Sequence, residues 1–341
     1  MKILITGGCG FVGSNIAVFL KKRLKMSKIY SLDSLMRKGS SLNRKRLSLS
    51  KIKNFKIDIS KYSKISRLQK FDLIIDCCAE PAIEASKKDP DRVFNTNLLG
   101  TFNILKKCVK DKSNLIFLSS SRVYSIEHLR NLIKKNNITK PINISKKIDE
   151  NFYTNSASSL YGFTKIASEK LIKEFFFKTN IKYIINRFGV IAGPWQFGKQ
   201  DQGFIPLWVA KHFLKKKLNY IGFGGHGHQV RDVIHIDDVC EIILIQIKKI
   251  KKYHNLTFNV GGDSKNSISL KSLTKKCEKL TQNKIRFGSK PKTSIYDIPY
   301  YVTDNKKITK FYKWKPKKNI DQILKDILNW LYKYKNVRNF F

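Results

Sequence analysis

Residues 2–15 read KILITGGCGFVGSN, a short apolar run that ends in four glycines within seven positions. Glycine loses more backbone freedom on folding than any other residue, so a cluster of them needs a physical reason. Gly7, Gly10 and Gly13 follow a G-x-x-G-x-x-G spacing. Between a strand and a helix, that spacing permits a sharp turn, lets a pyrophosphate reach main-chain N–H groups and lets helix and strand pack closely. The positive end of the helix dipole favours the same anion. Phe11 and Val12 complete the loop and join the three glycines as candidate cofactor contacts. Asp33 stands twenty residues after Gly13, at the end of the next apolar run. A carboxylate there accepts hydrogen bonds from ribose hydroxyls, which favours NAD over NADP. Arg37 and Lys38 follow closely and leave room for NADP.

Outward from this loop, apolar runs alternate with helical periodicity. Strands are expected over 2–6, 28–35, 54–59, 71–79, 114–121 and 181–188. Helices are expected over 15–25, 90–111 and 160–178. The run FDLIIDCCA at 71–79 is nearly all apolar, as in a strand buried on both faces. Regular alternation of this kind predicts an α/β, Rossmann-type, doubly wound parallel sheet. The texture changes after Arg187. Gly and Pro enter, helices are expected at 204–217, 269–282 and 319–335, and the alternation lapses. The expected division is a dinucleotide-binding domain over 1–187, with a later contribution from about 229–260, and a smaller α/β substrate lobe over 188–341.

The 341 residues carry 42% hydrophobic side chains, enough for a real core. The formal charge is +43, from 68 Lys and Arg against 25 Asp and Glu. Most of the excess is Lys, spread over every expected helix. A nucleic-acid site concentrates charge and uses Arg, so no specific nucleic acid is expected. The six cysteines lack zinc-site spacing, which predicts free thiols, no metal and a reducing cytoplasm. No apolar stretch reaches the roughly 18 residues of a membrane span, and the first apolar run is too short for a secretory leader.

Two later segments indicate chemistry. YGFTK places Tyr161 and Lys165 four residues apart, on one face of a helix. A free Tyr has a pKa of about 10, and a nearby ammonium stabilises its phenolate. LSSSRVY ends a strand and supplies hydroxyls for a substrate oxygen.

With these segments in order, the chain resembles the extended short-chain dehydrogenase/reductase family, and within it the NAD-dependent nucleotide-sugar epimerases. TGGCGFVGSN, DSLMRKGS, NTNLLGT, SSSRVY, YGFTK, GPWQFGKQDQG and GHQVRDVIHIDDV all match. The last two look most like CDP-paratose (CDP-tyvelose) 2-epimerases. The resemblance implies Ser120, Tyr161 and Lys165 as catalytic groups. It implies Asp58 and Ile59 at the adenine, Ala79 and Asn97 near the cofactor, and a homodimer. Ser121, Arg122, Gln196, Gln202 and Arg231 are candidate substrate contacts, with Arg231 at a diphosphate. Transient oxidation of the sugar to a ketone, then reduction on its other face, is the implied reaction, within carbohydrate and lipopolysaccharide biosynthesis. The chain departs from the family at Asp76-Cys77-Cys78-Ala79-Glu80, where a His-Leu-Ala-Ala type turn is common. Ser125 replaces a glycine, and Trp195 replaces an Arg frequent in 2-epimerases. The 4,6-dehydratase branch carries an Asp-Glu pair where Ser121 and Arg122 stand. A 4-epimerase or reductase on the same scaffold is the alternative enzyme. A nucleotide- or RNA-binding protein without catalysis is the alternative outside enzymes.

Overall fold

The structure is a computed structural model, and it describes all residues except 82–87, 134–137, 144, 157–158 and 200–201. The chain divides into two compact units. The first contains Met1–Val123, Ser159–Arg187 and Val239–Phe258; the second contains Tyr124–Ser158, Phe188–Asp238 and Asn259–Phe341. The stretch Tyr124–Ser158 therefore packs with the second unit, and Val239–Phe258 is the late segment that packs with the first.

The first unit is built on a seven-stranded sheet. Its strands are β1 (Lys2–Thr6), β2 (Lys28–Leu32), β3 (Lys53–Phe55), β4 (Leu73–Asp76), β5 (Asn114–Ser120), β6 (Tyr183–Phe188) and a last strand, Leu256–Val260. The order across the sheet is Leu256–Val260, β6, β5, β4, β1, β2, β3. β1 pairs in parallel with both β2 and β4, β2 with β3, and β4 with β5. The chain reverses direction across the sheet between β1 and β4, which sets a topological switch point at their carboxyl ends. Ile3, Leu4 and Ile5 are fully buried, as the unbroken apolar run requires. Leu4, Leu32, Ile74, Ile104, Phe117 and Ile185 belong to one core cluster that joins sheet and helices.

Several boundaries differ from the sequence expectation. The first helix begins at Phe11, not Asn15, because extended Gly10 serves as its N-cap. β4 stops at Asp76 and does not run to Ala79. The Asp76 carboxylate accepts the Cys78 main-chain N–H at 3.3 Å, which turns the chain out of the strand. Cys77 and Cys78 thus follow the strand and do not alternate across it. β3 ends at Phe55, and Asp58 then closes a local turn by accepting from Ser60 N–H at 2.9 Å. Helices at Ser40–Leu49 and Ile126–Asn131 were not expected.

In the second unit, the strand Val230–His235 is central. Ser267–Ser269 pairs with it antiparallel, and Tyr300–Tyr301 and Val190–Ala192 pair with it in parallel. Leu218–Ile221 pairs with Phe287–Lys290. Helices Phe204–Phe213, Leu270–Thr281 and Ile320–Lys333 pack on one another. Among the described residues, no helix is long and apolar enough to cross a membrane.

A buried ion pair fixes the helix Leu160–Phe175 to the sheet of the first unit. Arg187 on β6 donates to Glu169 through Nη2 at 2.7 Å and through Nε at 3.0 Å. Ser119 on β5 donates to the same carboxylate at 2.5 Å. Removing one member of such a pair leaves an uncompensated buried charge, which costs about 3–5 kcal/mol. Glu169→Ala should therefore lower unfolding free energy by roughly that amount in a denaturant titration. Glu169→Gln, which keeps acceptors for Ser119 and Arg187, should lose less.

Candidate active site

The glycine loop closes over very short distances. Gly7 has φ +58°, and a Cβ on it would lie 2.9 Å from the Cys77 carbonyl oxygen. A Cβ on Gly13 would lie 2.4 Å from the Gly7 carbonyl oxygen. Gly10 N–H donates to the Gly7 carbonyl at 2.9 Å. Gly7, Gly10, Phe11 and Val12 are partly exposed, whereas Gly8, Cys9 and Gly13 are buried. The first turn of the helix Phe11–Arg23 has no side-chain cap. An uncapped helix start of this kind is where an anion can bind.

Asp33 follows β2 directly. Its Oδ2 accepts from Cys9 N–H at 3.0 Å and its Oδ1 from Leu35 N–H at 2.8 Å. Gly10 N–H is a third main-chain donor to the carboxylate, whose roughly four acceptor sites leave one for a further donor. Burial raises the Asp33 pKa, and these main-chain donors and Arg37 oppose the rise. Asp58 is partly exposed. Ile59 is only 3% exposed, and a Cβ on Gly100 would meet its Cγ2 at 2.6 Å. Its side chain therefore serves the core.

Asn97 lies in a π-helical turn, Asn95–Leu99. Its Oδ1 accepts from Glu80 N–H at 2.7 Å, and its Nδ2 donates to Thr164 Oγ1 at 3.1 Å. One side chain thus ties the loop after β4, which includes Ala79, to the helix that carries Tyr161 and Lys165.

Ser159 caps that helix by accepting from Gly162 N–H at 3.2 Å. Tyr161 and Lys165 are both buried, on the face toward the sheet. Burial raises the Tyr161 pKa; the adjacent Ser120 hydroxyl and then the Arg122 guanidinium oppose the rise. Lys165 was expected to supply that opposition. Instead its own pKa is lowered by burial, with Asp76 the main group resisting. Its ammonium sits 4.1 Å from the centre of the Phe117 ring and, among the described residues, has no hydrogen bond. Ser121 and Arg122 continue from Ser120 in a short 3-10 turn, where Arg122 N–H donates to Ser120 Oγ at 3.2 Å.

The remaining candidates lie in the second unit. Arg231 donates to the carbonyls of Val230 at 2.7 Å and Ile298 at 2.5 Å. Its neighbour Asp232 is fully buried, and burial lifts its pKa to about 6. Gln196 donates to the Ile191 carbonyl at 3.3 Å, and its Oε1 is buried without a partner among the described residues. Gln202 exchanges main-chain hydrogen bonds with Lys199. Gln200 and Asp201 of the GPWQFGKQDQG segment fall outside the described residues. Trp195 has φ +71° and packs against Tyr334, with ring centres 4.8 Å apart and planes tilted by 58°. A cavity of about 240 Å³ is lined by Leu207, Lys211, Lys217, Leu218 and Asn219. His235, Asp237 and Asp326 approach one another, but the Lys318 ammonium already lies 2.9 Å from Asp237 and 2.7 Å from Asp326. All six cysteines are free.

Asp76 and Glu169 were missed by the sequence reading. A signal existed for both: Asp76 interrupts an apolar run, and Glu169 repeats the four-residue step from Tyr161 to Lys165.

The sheet order, the uncapped helix behind the glycines, Asp33 and the buried Tyr–Lys pair define a dinucleotide-binding enzyme scaffold. The chain belongs to the NAD-dependent epimerase/dehydratase family, whose model matches residues 3–261. It is similar to CDP-paratose 2-epimerase of Salmonella typhi, at 29% identity over 97% of this chain and 99% of that protein. It is also similar to dTDP-D-glucose 4,6-dehydratase of Dictyostelium discoideum, at 29% identity over 77% of this chain and 58% of that protein. The structure of UDP-glucose 4-epimerase from Thermotoga maritima, solved with UDP-glucose, superposes with a TM-score of 0.80 at 23% identity, covering 98% of this chain and 99% of that one. NAD is the cofactor of this family, and the residues fit it. The glycine loop, with no side-chain cap on the helix behind it, suits a pyrophosphate, and the Asp33 carboxylate is an acceptor of the kind a ribose diol needs.

Two changes test that fit by NAD titration. Overpacking costs about 1–3 kcal/mol, so Gly13→Ala should weaken NAD binding roughly tenfold or more. Asp33→Ser should weaken NAD and narrow its advantage over NADP; tighter binding of NADP than NAD by the unmodified protein would contradict the role of Asp33.

Proposed function

We propose that this chain epimerises C2 of a nucleotide-activated hexose, in the manner of a CDP-paratose 2-epimerase. One observation supports the choice: the match to the Salmonella typhi 2-epimerase runs end to end at 29% identity, whereas the 4-epimerases that also match along the whole chain share 23–26%. The dehydratase match leaves much of its relative uncovered, and Ser121 and Arg122 offer no acid pair for dehydration.

In this proposal the first unit holds NAD. Gly7, Gly10, Phe11, Val12 and Gly13 receive the pyrophosphate, and Asp33 the adenosine ribose. Asp58 and the main chain of Ile59 flank the adenine. Ala79 borders the nicotinamide end in the loop that Asn97 orders, and Lys165 holds the second ribose. Bound NAD supplies a hydride acceptor that is restored in each turnover. Ser120 donates a hydrogen bond to the reacting sugar oxygen. Tyr161 removes the proton from that hydroxyl and later returns it. Ser121 and Arg122 border the sugar, and Arg122 also favours the Tyr161 phenolate. Arg231 binds the diphosphate, Gln196 and Gln202 contact the sugar, and the cavity at Leu207–Asn219 takes the base. The six free thiols suit a reducing cytoplasm. Phe94 and Phe163 are exposed on helices that pack together, which suits a homodimer.

The test is a panel of CDP-, UDP-, GDP- and dTDP-sugars offered to NAD-loaded protein. A C2 epimer should form from a CDP-sugar; a C4 epimer would replace the proposal with the 4-epimerase alternative. Tyr161→Phe should keep fold and NAD while lowering turnover by about 10²–10⁴. Because burial raises the Tyr161 pKa, wild-type turnover should climb as pH rises from neutrality.

A further inference from the structure

The strands of the first unit begin side by side. Main-chain bonds run across their amino ends. Lys28 N–H donates to the Met1 carbonyl, Asp72 N–H to Lys2, Asn114 N–H to Asp72, Leu115 N–H to Lys182 and Asn255 N–H to Tyr183. Lys53 of β3 pairs in parallel with Tyr30 of β2. A helix that leads into a strand of a parallel sheet ends where that strand begins. The last turns of these helices therefore gather at one edge of the unit, at the far end of the strands from Gly7 and Asp33.

That edge is basic. The helix Phe11–Arg23 ends in Lys21, Lys22 and Arg23, and the helix Ile236–Lys249 ends in Lys248 and Lys249. Lys51, Lys112, Lys178 and Lys251 stand in turns that follow four of the helices, and all four are exposed. Asp72 and Glu174 are the exposed acids there, and Asp72 already accepts the Lys2 N–H at 2.7 Å. Among the described residues, the buried pair of Lys107 with Asp111 is the one ion pair at this edge. Cations at helix carboxyl ends complement the helix dipole, which accounts for part of the charge.

The dipole does not account for the apolar side chains among those cations. Met26 is 94% exposed, Leu49 79%, Phe177 69% and Val109 47%. Each belongs to a different helix-to-strand connection or to the last helical turn before it. The Lys178 ammonium lies 5.5 Å from the centre of the Phe177 ring. Single exposed apolar residues are ordinary on a protein surface, but a set of them on one edge marks an interaction surface. Nucleic acid would use the charge and leave the aliphatic side chains in water, and its phosphates favour Arg, the minority cation here. A bilayer with anionic headgroups uses both kinds of group.

We infer that this edge of the first unit is a peripheral membrane-binding surface for anionic phospholipid. The lysines lie among the headgroup phosphates, and Met26, Leu49 and Phe177 enter the boundary with the acyl chains. The contact needs no membrane-spanning helix. It leaves the carboxyl ends of the strands, with the glycine loop and Asp33, turned away from the lipid.

The test is flotation of the full chain, loaded with NAD, with vesicles at about 0.15 M salt. The protein should float with phosphatidylcholine vesicles that contain about 30% phosphatidylglycerol, and stay behind with phosphatidylcholine alone. Because the whole chain carries +43, the charge must be located as well as counted. Changing Lys25, Lys51, Lys178 and Lys251 together to Gln should lower the partition coefficient about a hundredfold or more. Changing exposed Lys271, Lys275, Lys279 and Lys292 of the second unit to Gln should lower it by less than about threefold. Equal losses in the two variants overturn the inference.

The apolar side chains are tested apart from the charge. Met26→Ser with Phe177→Ser should weaken vesicle binding about tenfold and leave binding to soluble heparin unchanged. Undiminished vesicle binding would reduce the edge to a plain cationic surface, against the inference. All four native Trp lie in the second unit, so Phe177→Trp reports this edge. Its added emission should move to shorter wavelength with anionic vesicles; no shift would mean that the ring stays in water, and the inference fails. Tighter binding to an RNA duplex than to vesicles, lost in the variant lacking Lys25, Lys51, Lys178 and Lys251, would assign the edge to nucleic acid and overturn it as well.

Discussion

Three main chains meet at the carboxyl end of β1, and hydrogen is the largest side chain that fits between them. Gly7 turns the chain through a left-handed conformation against the backbone of Cys77 and Cys78. Gly13 lets the following helix return onto Gly7 itself. The adjacent pairing of β1 with β4 brings these segments together, and it places Thr6 opposite Asp76. Everything the first unit presents to a cofactor follows from this contact. The helix start is aimed and left uncapped, Asp33 is tied to the loop through Cys9, and the loop after β4 is drawn against the glycines.

The same strand end organises the chemistry. Asp76, Thr101 and Asn97 form a run of buried hydrogen bonds that reaches Thr164 on the helix of Tyr161 and Lys165. One turn beyond Lys165, Glu169 secures that helix to β5 and β6. Ser120 is the residue after Ser119, and its hydroxyl bonds with Tyr161. Burial raises the pKa of the Tyr161 phenol and lowers that of the Lys165 ammonium. The surrounding charges oppose it from two sides, Arg122 on the tyrosine and Asp76 on the lysine.

The features legible in the sequence are local ones. A glycine spacing, an acid after a strand and a four-residue step on a helix each depend on neighbours a few residues away. The sheet and the Tyr161–Lys165 face were readable for that reason. The end of β4 was marked only by Asp76 interrupting the apolar run, and that its side chain turns the chain out of the strand depends on its bond to the Cys78 main-chain N–H. The groups that oppose the rise of the Tyr161 pKa, Ser120 and then Arg122, lie some forty residues earlier in the chain and were hidden for a related reason. Spacing puts Lys165 on the same face, but burial of the ammonium is a tertiary fact. The stretch Tyr124–Ser158 was assigned by its position between two recognised segments. Its contacts are distant ones, such as Tyr124 with Asn259 at 2.6 Å and Arg130 with the Asp297 carbonyl at 3.0 Å, and these place it in the second unit.

In the proposed reaction a hydride leaves a sugar carbon and returns to the same carbon on the other face. The direct measurement is isotope tracing with a CDP-hexose deuterated at C2, mixed with unlabelled substrate in ordinary water. Deuterium should remain at C2 of the epimer, with no proton from water at that carbon and no exchange between sugar molecules. Washout of deuterium into solvent at C2 would contradict transient oxidation at that carbon and would point to direct deprotonation instead.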